Sequence, residues 1–419
     1  MDVDAPGSLV GRVFVWVNRE LPRRVGIRGE AMARFIVYRL ARGAVALILF
    51  QSLLFGLVHA LPYDFSSLFL AGPTYRRFIQ SYLGLDRPLW EQYTHWLGGF
   101  LRLDLGQSYL FWPTPVADIL AANLPRTLML FLSAAVLAYF LGIWLGKRMA
   151  WRRGGLFEAT ATLGGVAAYT SFAPFLGFVL INIFGRELGW FSYQRLVDHN
   201  VWYLAPVAVD WIFAWLVVTA GLSFAAILVL WRFTGRHSMN RHRWQVRTAL
   251  MRGAGLLALA AAVGWLWHRS GYAHLAVDIL RHLGLPLTTI VLLSFGETMM
   301  LMRTSMLETM REEFVLTAQA IGFPDKVIRD KYVARNAILP VLTRLALNLP
   351  FVLVGSLVIE RVFLWSAMGQ VVFGAVEFYD VPLLLGILSV VGLLTLAAHV
   401  VLDVVYVYLD PRLRYAAGG

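Results

Sequence analysis

The chain has 419 residues, of which 59% are hydrophobic and 15% charged, with a mean hydropathy of +0.65. So apolar a composition excludes a soluble globular domain and a disordered chain, and points to an integral membrane protein. The formal charge of +12 gathers beside apolar runs, as membrane orientation requires, and on no recognisable nucleic-acid module, while the absence of Cys excludes disulfides, thiolate metal sites and cysteine nucleophiles.

Residues 1–31 are charged and interrupted, and lack the basic start, apolar core and small-residue cleavage site of a signal peptide. Residues 9–21 mix apolar side chains with Arg12 and Arg19, so two readings stand: an interfacial helix, or a tail. A first span is expected over 35–61, ending at Pro62, and a long polar and aromatic segment follows to residue 116. Its Trp90, Tyr93 and Trp96 suit either a surface that receives a partner or a cap with interfacial aromatics. A second span, 119–145, empties into Lys147, Arg148, Arg152 and Arg153, which mark an inner face. The string GIWLGK at 142–147 has one spacer too few for a phosphate-binding loop and lacks the Ser or Thr after Lys147, so nucleotide binding is rejected.

A third span, 157–183, contains Gly164, Gly165, Pro174 and Gly177, which permit close packing and bends inside a bundle. Two further apolar runs, 204–231 and 254–267, flank an arginine-rich, acid-free loop and read as a transmembrane hairpin with that loop inside. The second run is short for a hydrocarbon core of about 30 Å, so it either re-enters or continues toward residue 275. Asp210 lies near the outer edge of its run, within reach of water, and His237, His242 and His268 are not spaced as metal ligands. Span 285–302 carries Gly296 and Glu297 at a depth where an unpaired carboxylate costs on the order of a few kcal/mol. Glu297 is therefore expected to face the bundle interior, a cavity or a partner, either lining a substrate path or making a structural hydrogen bond. The last two spans are expected over 341–364 and 381–407. Most of the 37 Lys and Arg fall in the segments that this order places inside.

Residues 312–340 form a polar island between these apolar segments. From 305 to 321 there is no Gly or Pro, and Met306, Met310, Phe314 and Thr317 recur at helical steps, which predicts one helix. Gly322 stops it, and Pro324 with Asp325 opens a second. Ala318, Ala320 and Gly322 allow close approach of another surface, so the elbow reads as a docking knob or as an amphipathic connector on the membrane.

In order and at this spacing, LMRTSMLETMREEFVLTAQAIG (301–322) and ARNAILPVLT (334–343) resemble the cytoplasmic coupling segment, often called the EAA loop, of binding-protein-dependent ABC importer permeases of the peptide and nickel subfamily. ARFIVYRLARG from residue 33, NLPRTL at 123–128 and LDPRL at 409–413 fit the same family, and Tyr332 stands where this subfamily commonly carries a histidine. The resemblance covers 32–180 and 285–415. It implies an all-α polytopic membrane protein with the type I ABC importer transmembrane fold: six family-like spans plus an inserted two-helix hairpin, about eight in all, with both termini cytoplasmic. Residues 1–31 become a cytoplasmic extension, and 32–185 the first part of the transmembrane domain with a periplasmic segment over 63–116. Residues 186–284 are an insertion, and 285–419 the second part, with its coupling segment over 303–340.

The resemblance further implies a non-catalytic permease subunit of an ATP-driven importer in a bacterial or archaeal cytoplasmic (inner) membrane, forming half of a pathway for peptides or similar small solutes. Its implied partners are a second homologous permease, two cytoplasmic ATPase subunits that use ATP and Mg, an extracytoplasmic solute-binding protein and the lipid bilayer, with no nucleic acid. No cofactor, metal or catalytic residue is expected on this chain. The expected coupling residues are Glu313, Phe314, Thr317, Ala318, Ala320 and Gly322, with Arg335, Asn336 and Pro340 holding the return helix and Glu297 beside the pathway. The rival class is a stand-alone secondary transporter or channel, which calls for buried acids and inverted repeats; Glu297 is the one deep acid and no repeat is visible. An intramembrane hydrolase is opposed by the lack of GxSxG and HExxH within the spans.

Overall fold

The computed structural model describes residues 29–60, 65–68, 73–193, 195–235, 242–348 and 357–409, so most of the expected N-terminal extension, His237 and the LDPRL ending lie outside the described residues. Within a membrane each backbone N–H and C=O must find its partner inside its own segment, and the apolar runs accordingly form helices. Among the described residues no extended strand forms, only a bridge between Gln107 and Pro115.

Helix α1 spans Gly29–His59. The polar and aromatic segment after it holds α2, Pro73–Leu83, and α3, Leu89–Leu101. Then come α4, Val116–Trp151; α5, Leu156–Thr170; and α6, Ala173–Leu180, prolonged by a π-helical turn over Ile181–Glu187. A single turn, α7, His199–Trp202, precedes the hairpin of α8, Val209–Gly235, and α9, His242–Ser270. Gly271, at φ 80°, turns the chain into α10, Ala273–Thr309.

The molecule is organised on α4 and α10, of 36 and 37 residues, which pack along each other more extensively than any other pair. At about 1.5 Å per residue each is roughly 55 Å long, well beyond a hydrocarbon core of about 30 Å, so both project past the bilayer. Glycine lets them approach. A methyl group at Gly146 would sit 2.6 Å from the Met299 carbonyl oxygen, and one at Gly142 would sit 2.7 Å from Thr298 Cβ. The GIWLG string thus belongs to a small-xxx-small packing face. Gly165 of α5 meets Gly296 of α10 in the same way.

One expectation is borne out and two are revised. The third span bends, as its Pro and Gly residues permit: α5 and the α6 unit meet at 108°. Ser171 and Phe172 are extended there, and Pro174 in the first turn of α6 lacks the N–H that would carry a helix across the break. The short run at 254–267 does not run on to residue 275: its helix ends at Ser270, and growth at both ends of the run gives a 21-residue apolar stretch, Leu250–Ser270, long enough to cross. Span 285–302 is only the middle of α10. Among the described residues five helices are individually long and apolar enough to cross a membrane, and the bent pair makes a sixth. The expected span 341–364 crosses residues 349–356, outside the described residues, and the last lies in α16, Val381–Leu409, whose apolar stretch is Val381–Ala397.

The hairpin joins the bundle through α8, whose Ile212 and Phe213 are fully buried in a cluster with Met129 and Leu130 of α4. Arg252 of α9 donates to Thr234 of α8 at 2.9 Å, closing its base. Asp210, rather than facing water alone, accepts from Arg126 Nε of α4 at 2.8 Å, and Arg126 also reaches the Ser366 carbonyl at 3.1 Å.

Candidate coupling site

The chain leaves α10 at Thr309, turns through residues 310–312 and forms α11, Glu313–Ala320. The expected single helix over 305–321 is therefore broken. A continuous helix would carry Val315 and Ala318 away along the α10 axis at about 1.5 Å per residue. The turn instead folds them back beside Met302 and Met306 of α10 and Ala150 of α4, where they are 2% and 3% exposed.

Gly322, at φ 85°, ends α11 as the sequence predicts. The N–H of Phe323 donates to the Ala318 carbonyl at 3.2 Å and that of Gly322 to Gln319 at 2.9 Å, the paired bonds of a Schellman ending. Phe323 then stacks near Tyr332, ring centroids 5.5 Å apart, so the tyrosine bridges the glycine corner. Helix α12, Asp325–Val327, opens behind Pro324 and continues as a π-helical turn over Ile328–Val333 before α13, Ala334–Asn348. Ile328, Val333, Ala334, Ala337 and Val341 complete the buried cluster under the elbow.

The elbow consequently has two faces. Glu313, Phe314, Thr317, Ala320 and Gly322 are exposed, and a side chain at Gly322 would meet nothing within 4 Å. Ala318, expected on the docking face, points inward, where its small size lets α11 lie close to the span ends. Arg335, Asn336 and Pro340, expected to hold the return helix, are also exposed; the holding is done by the apolar residues beneath them.

Ion pairs fasten this end and were not foreseen, since their partners lie far apart in sequence. Lys147 of α4 and Asp330 of the π-turn are 2.8 Å apart, and Arg329 donates to the same carboxylate at 2.7 Å. Burial raises the Asp330 pKa, but hydrogen bonds from Arg329 and Lys147, reinforced by their charges, outweigh it and bring the value down to about 2. Arg303 Nε of α10 donates to Glu158 of α5 at 2.9 Å, while Glu158 accepts the Gly154 N–H at 2.7 Å. Glu297 has a partner too, Arg344 of α13, whose Nε lies 2.8 Å away. With two further helices, α14, Leu357–Phe363, and α15, Met368–Glu377, the chain reaches α16. There Asp380, fully buried, accepts from Ser108 Oγ at 2.5 Å and from the Leu110 and Leu383 N–H groups. This joins the segment that follows α3 to the start of α16.

At the end of α4 away from the elbow, a cavity of about 680 Å³ opens among α1, α2, α3 and α16, with His59, Tyr82, Trp96, Tyr109 and Trp112 on its wall. It lies within the segment read from sequence as a receiving surface or a cap. Among the described residues no group of His, Asp or Glu is arranged to hold a metal ion.

Comparison with known proteins agrees with this geometry. The family described as binding-protein-dependent transport system inner membrane component matches residues 199–415, and its N-terminal counterpart matches residues 32–131. The match at 199 begins inside the segment that the sequence reading set apart as an insertion. The oligopeptide transport system permease protein AppB of Bacillus subtilis (strain 168) is 24% identical over 388 residues, covering 92% of this chain and 100% of that protein. The glutathione transport system permease protein GsiC of Escherichia coli (strain K12) is 26% identical over 393 residues, again 92% of this chain and 100% of that protein. Long helices packed through glycine, a Schellman-capped elbow seated on the two longest of them, and a family match over more than half of the chain converge on one assignment: this chain belongs to the binding-protein-dependent transport system inner membrane components, as a peptide-type ABC importer permease subunit.

Proposed function

We propose that the chain forms half of a translocation pathway for peptides or similar small solutes, and that it takes its driving force from cytoplasmic ATPases through the exposed face of α11. The partners in this reading are a second, related permease, two ATPase subunits that use ATP and Mg, and an extracytoplasmic solute-binding protein. The substrate class follows the names of the two relatives, one an oligopeptide and one a glutathione system. Both termini and the elbow lie in the cytoplasm, consistent with the basic residues around α4's end.

One observation carries the reading: α11 is exposed on one face and keyed on the other into the ends of α4 and α10. Displacing a surface so seated moves two central helices as bodies, which is what conversion between inward-open and outward-open states requires. Glu297, paired with Arg344, links α10 to α13 beneath the elbow and serves this motion as a brace rather than as an ion-coupling acid.

The test uses Gly322→Trp. A non-glycine residue at φ 85° costs about 1–2 kcal/mol, which a bundle of this size tolerates, while the indole projects into the docking surface. The variant is expected to insert and purify like the parent, to lose ATPase copurification and to abolish uptake, whereas Gly322→Asn, which suits this backbone region, keeps most of both. Normal uptake and full ATPase stimulation by Gly322→Trp would refute the role.

A further inference from the structure

We propose that a cavity beside the elbow binds the phosphate group of an anionic phospholipid. It measures about 400 Å³ and is lined by Arg148, Trp151 and Arg152 at the end of α4 and by Arg329 of the π-turn. Three guanidinium groups and no carboxylate form its wall. Among the described residues no carboxylate pairs with Arg148 or Arg152. The Arg148 guanidinium lies over the Trp144 ring at 4.0 Å, and Arg329 shares its partner Asp330 with Lys147. Arg148 and Arg152 lack a carboxylate partner among the described residues while Arg329 has Asp330, and the planar forks of guanidinium groups match the oxygens of a phosphate.

The position favours a lipid over a soluble phosphate compound, although the two share this chemistry. The arginines follow directly on an apolar span, and Trp144 and Trp151 sit where aromatic side chains anchor at a bilayer surface. Basic pockets between spans on the inner side suit acidic headgroups. The inference rests on the inward placement of the elbow in the proposed function. A headgroup here would tie α4 to the π-turn across the same seam that Lys147 and Asp330 close, making the stiffness of the elbow depend on acidic lipid.

The full-length chain in neutral detergent is titrated with fluorescent phosphatidylglycerol, with phosphatidylcholine as control and inorganic phosphate as competitor. Phosphatidylglycerol is expected to bind about tenfold more tightly than phosphatidylcholine, and Arg148→Gln/Arg152→Gln to remove that preference. Arg148→Lys/Arg152→Lys keeps most of it, and an unchanged melting temperature in both variants separates a lost site from a lost fold. Displacement of phosphatidylglycerol by millimolar inorganic phosphate keeps the phosphate chemistry but overturns the lipid assignment. Equal phosphatidylglycerol affinity in the parent and the double Gln variant overturns the proposal, and if that variant also loses ATPase copurification the arginines serve an acidic patch on the ATPase. Lipid binding is read on the isolated chain, so its failure and a failure of ATPase coupling are told apart.

Discussion

The elbow and the α8–α9 hairpin are both polar-to-apolar transitions that the sequence marks clearly, yet they are anchored in opposite ways. The elbow is short, but Val315, Ala318, Ile328 and Val333 are all buried against the ends of the two central helices. The hairpin is long, yet only 17% of the apolar window of α8 and 6% of that of α9 is buried within the chain. Apolar length therefore does not measure packing within the chain: α8 reaches the centre through the buried Ile212, Phe213 and Leu216 near its start, whereas the elbow is seated along its whole inner face. A force applied at the elbow reaches α4 and α10 directly, whereas α9 is buried little within the chain.

The sharpest break in this comparison comes from Ala318→Trp. Forcing an indole beneath α11 overpacks the cluster at a cost of about 3 kcal/mol, and should lift α11 off the span ends. The expected result is a chain that inserts but melts several degrees lower and shows protease cleavage between residues 310 and 324; parental melting and protection would show that the elbow is not keyed as described. The hairpin supplies the contrast. Arg126→Met strands the half-exposed Asp210 and is expected to cost about 1–2 kcal/mol. Leu257→Ala, on the exposed surface of α9, should fall within about 0.5 kcal/mol. Thermal melts of the purified chain rank the two, and a larger loss from Leu257→Ala would move the hairpin into the core.

The most local effect is a pH dependence at the seam. The Asp330 pKa is depressed from 3.8 to about 2, so its stabilising contribution is complete above the ordinary carboxylate value and is lost as pH falls from about 4 toward 2. Amide exchange at Ile328 to Val333 should be flat from pH 7 to about 5, after correction for the intrinsic rate, and rise below about 4. In Asp330→Asn this step should vanish, and its persistence would point to another group.

Much of this was legible from residue order alone. The apolar runs in α4, α8 and α10 located those helices, Gly322 located the corner, and two motifs around it located the family. What escaped was whatever depends on contacts between distant residues. Nothing local distinguishes Asp330, paired with Lys147, from a solvated acid, nor Glu158, paired with Arg303, nor Asp380 beneath Ser108. The turn at residues 310–312 was missed because the local sequence is helix-compatible, and it is the burial of Val315 and Ala318 that breaks the helix there. Ala318 illustrates the general difficulty. A small residue in a docking motif serves equally well outside, to admit a partner, or inside, to admit the motif's own support, and only its neighbours decide.

The chain contains no cysteine, which allows a direct test of the claim that an exposed face of α11 receives the motor. Phe314→Cys, Thr317→Cys, Ala320→Cys and Ala318→Cys are each coexpressed with the ATPase subunits and treated with a short bifunctional cross-linker. Bands joining this chain to an ATPase from the first three variants and none from Ala318→Cys are the predicted result. Cross-linking from Ala318→Cys alone, or from none of the four in a complex that still transports, would contradict it.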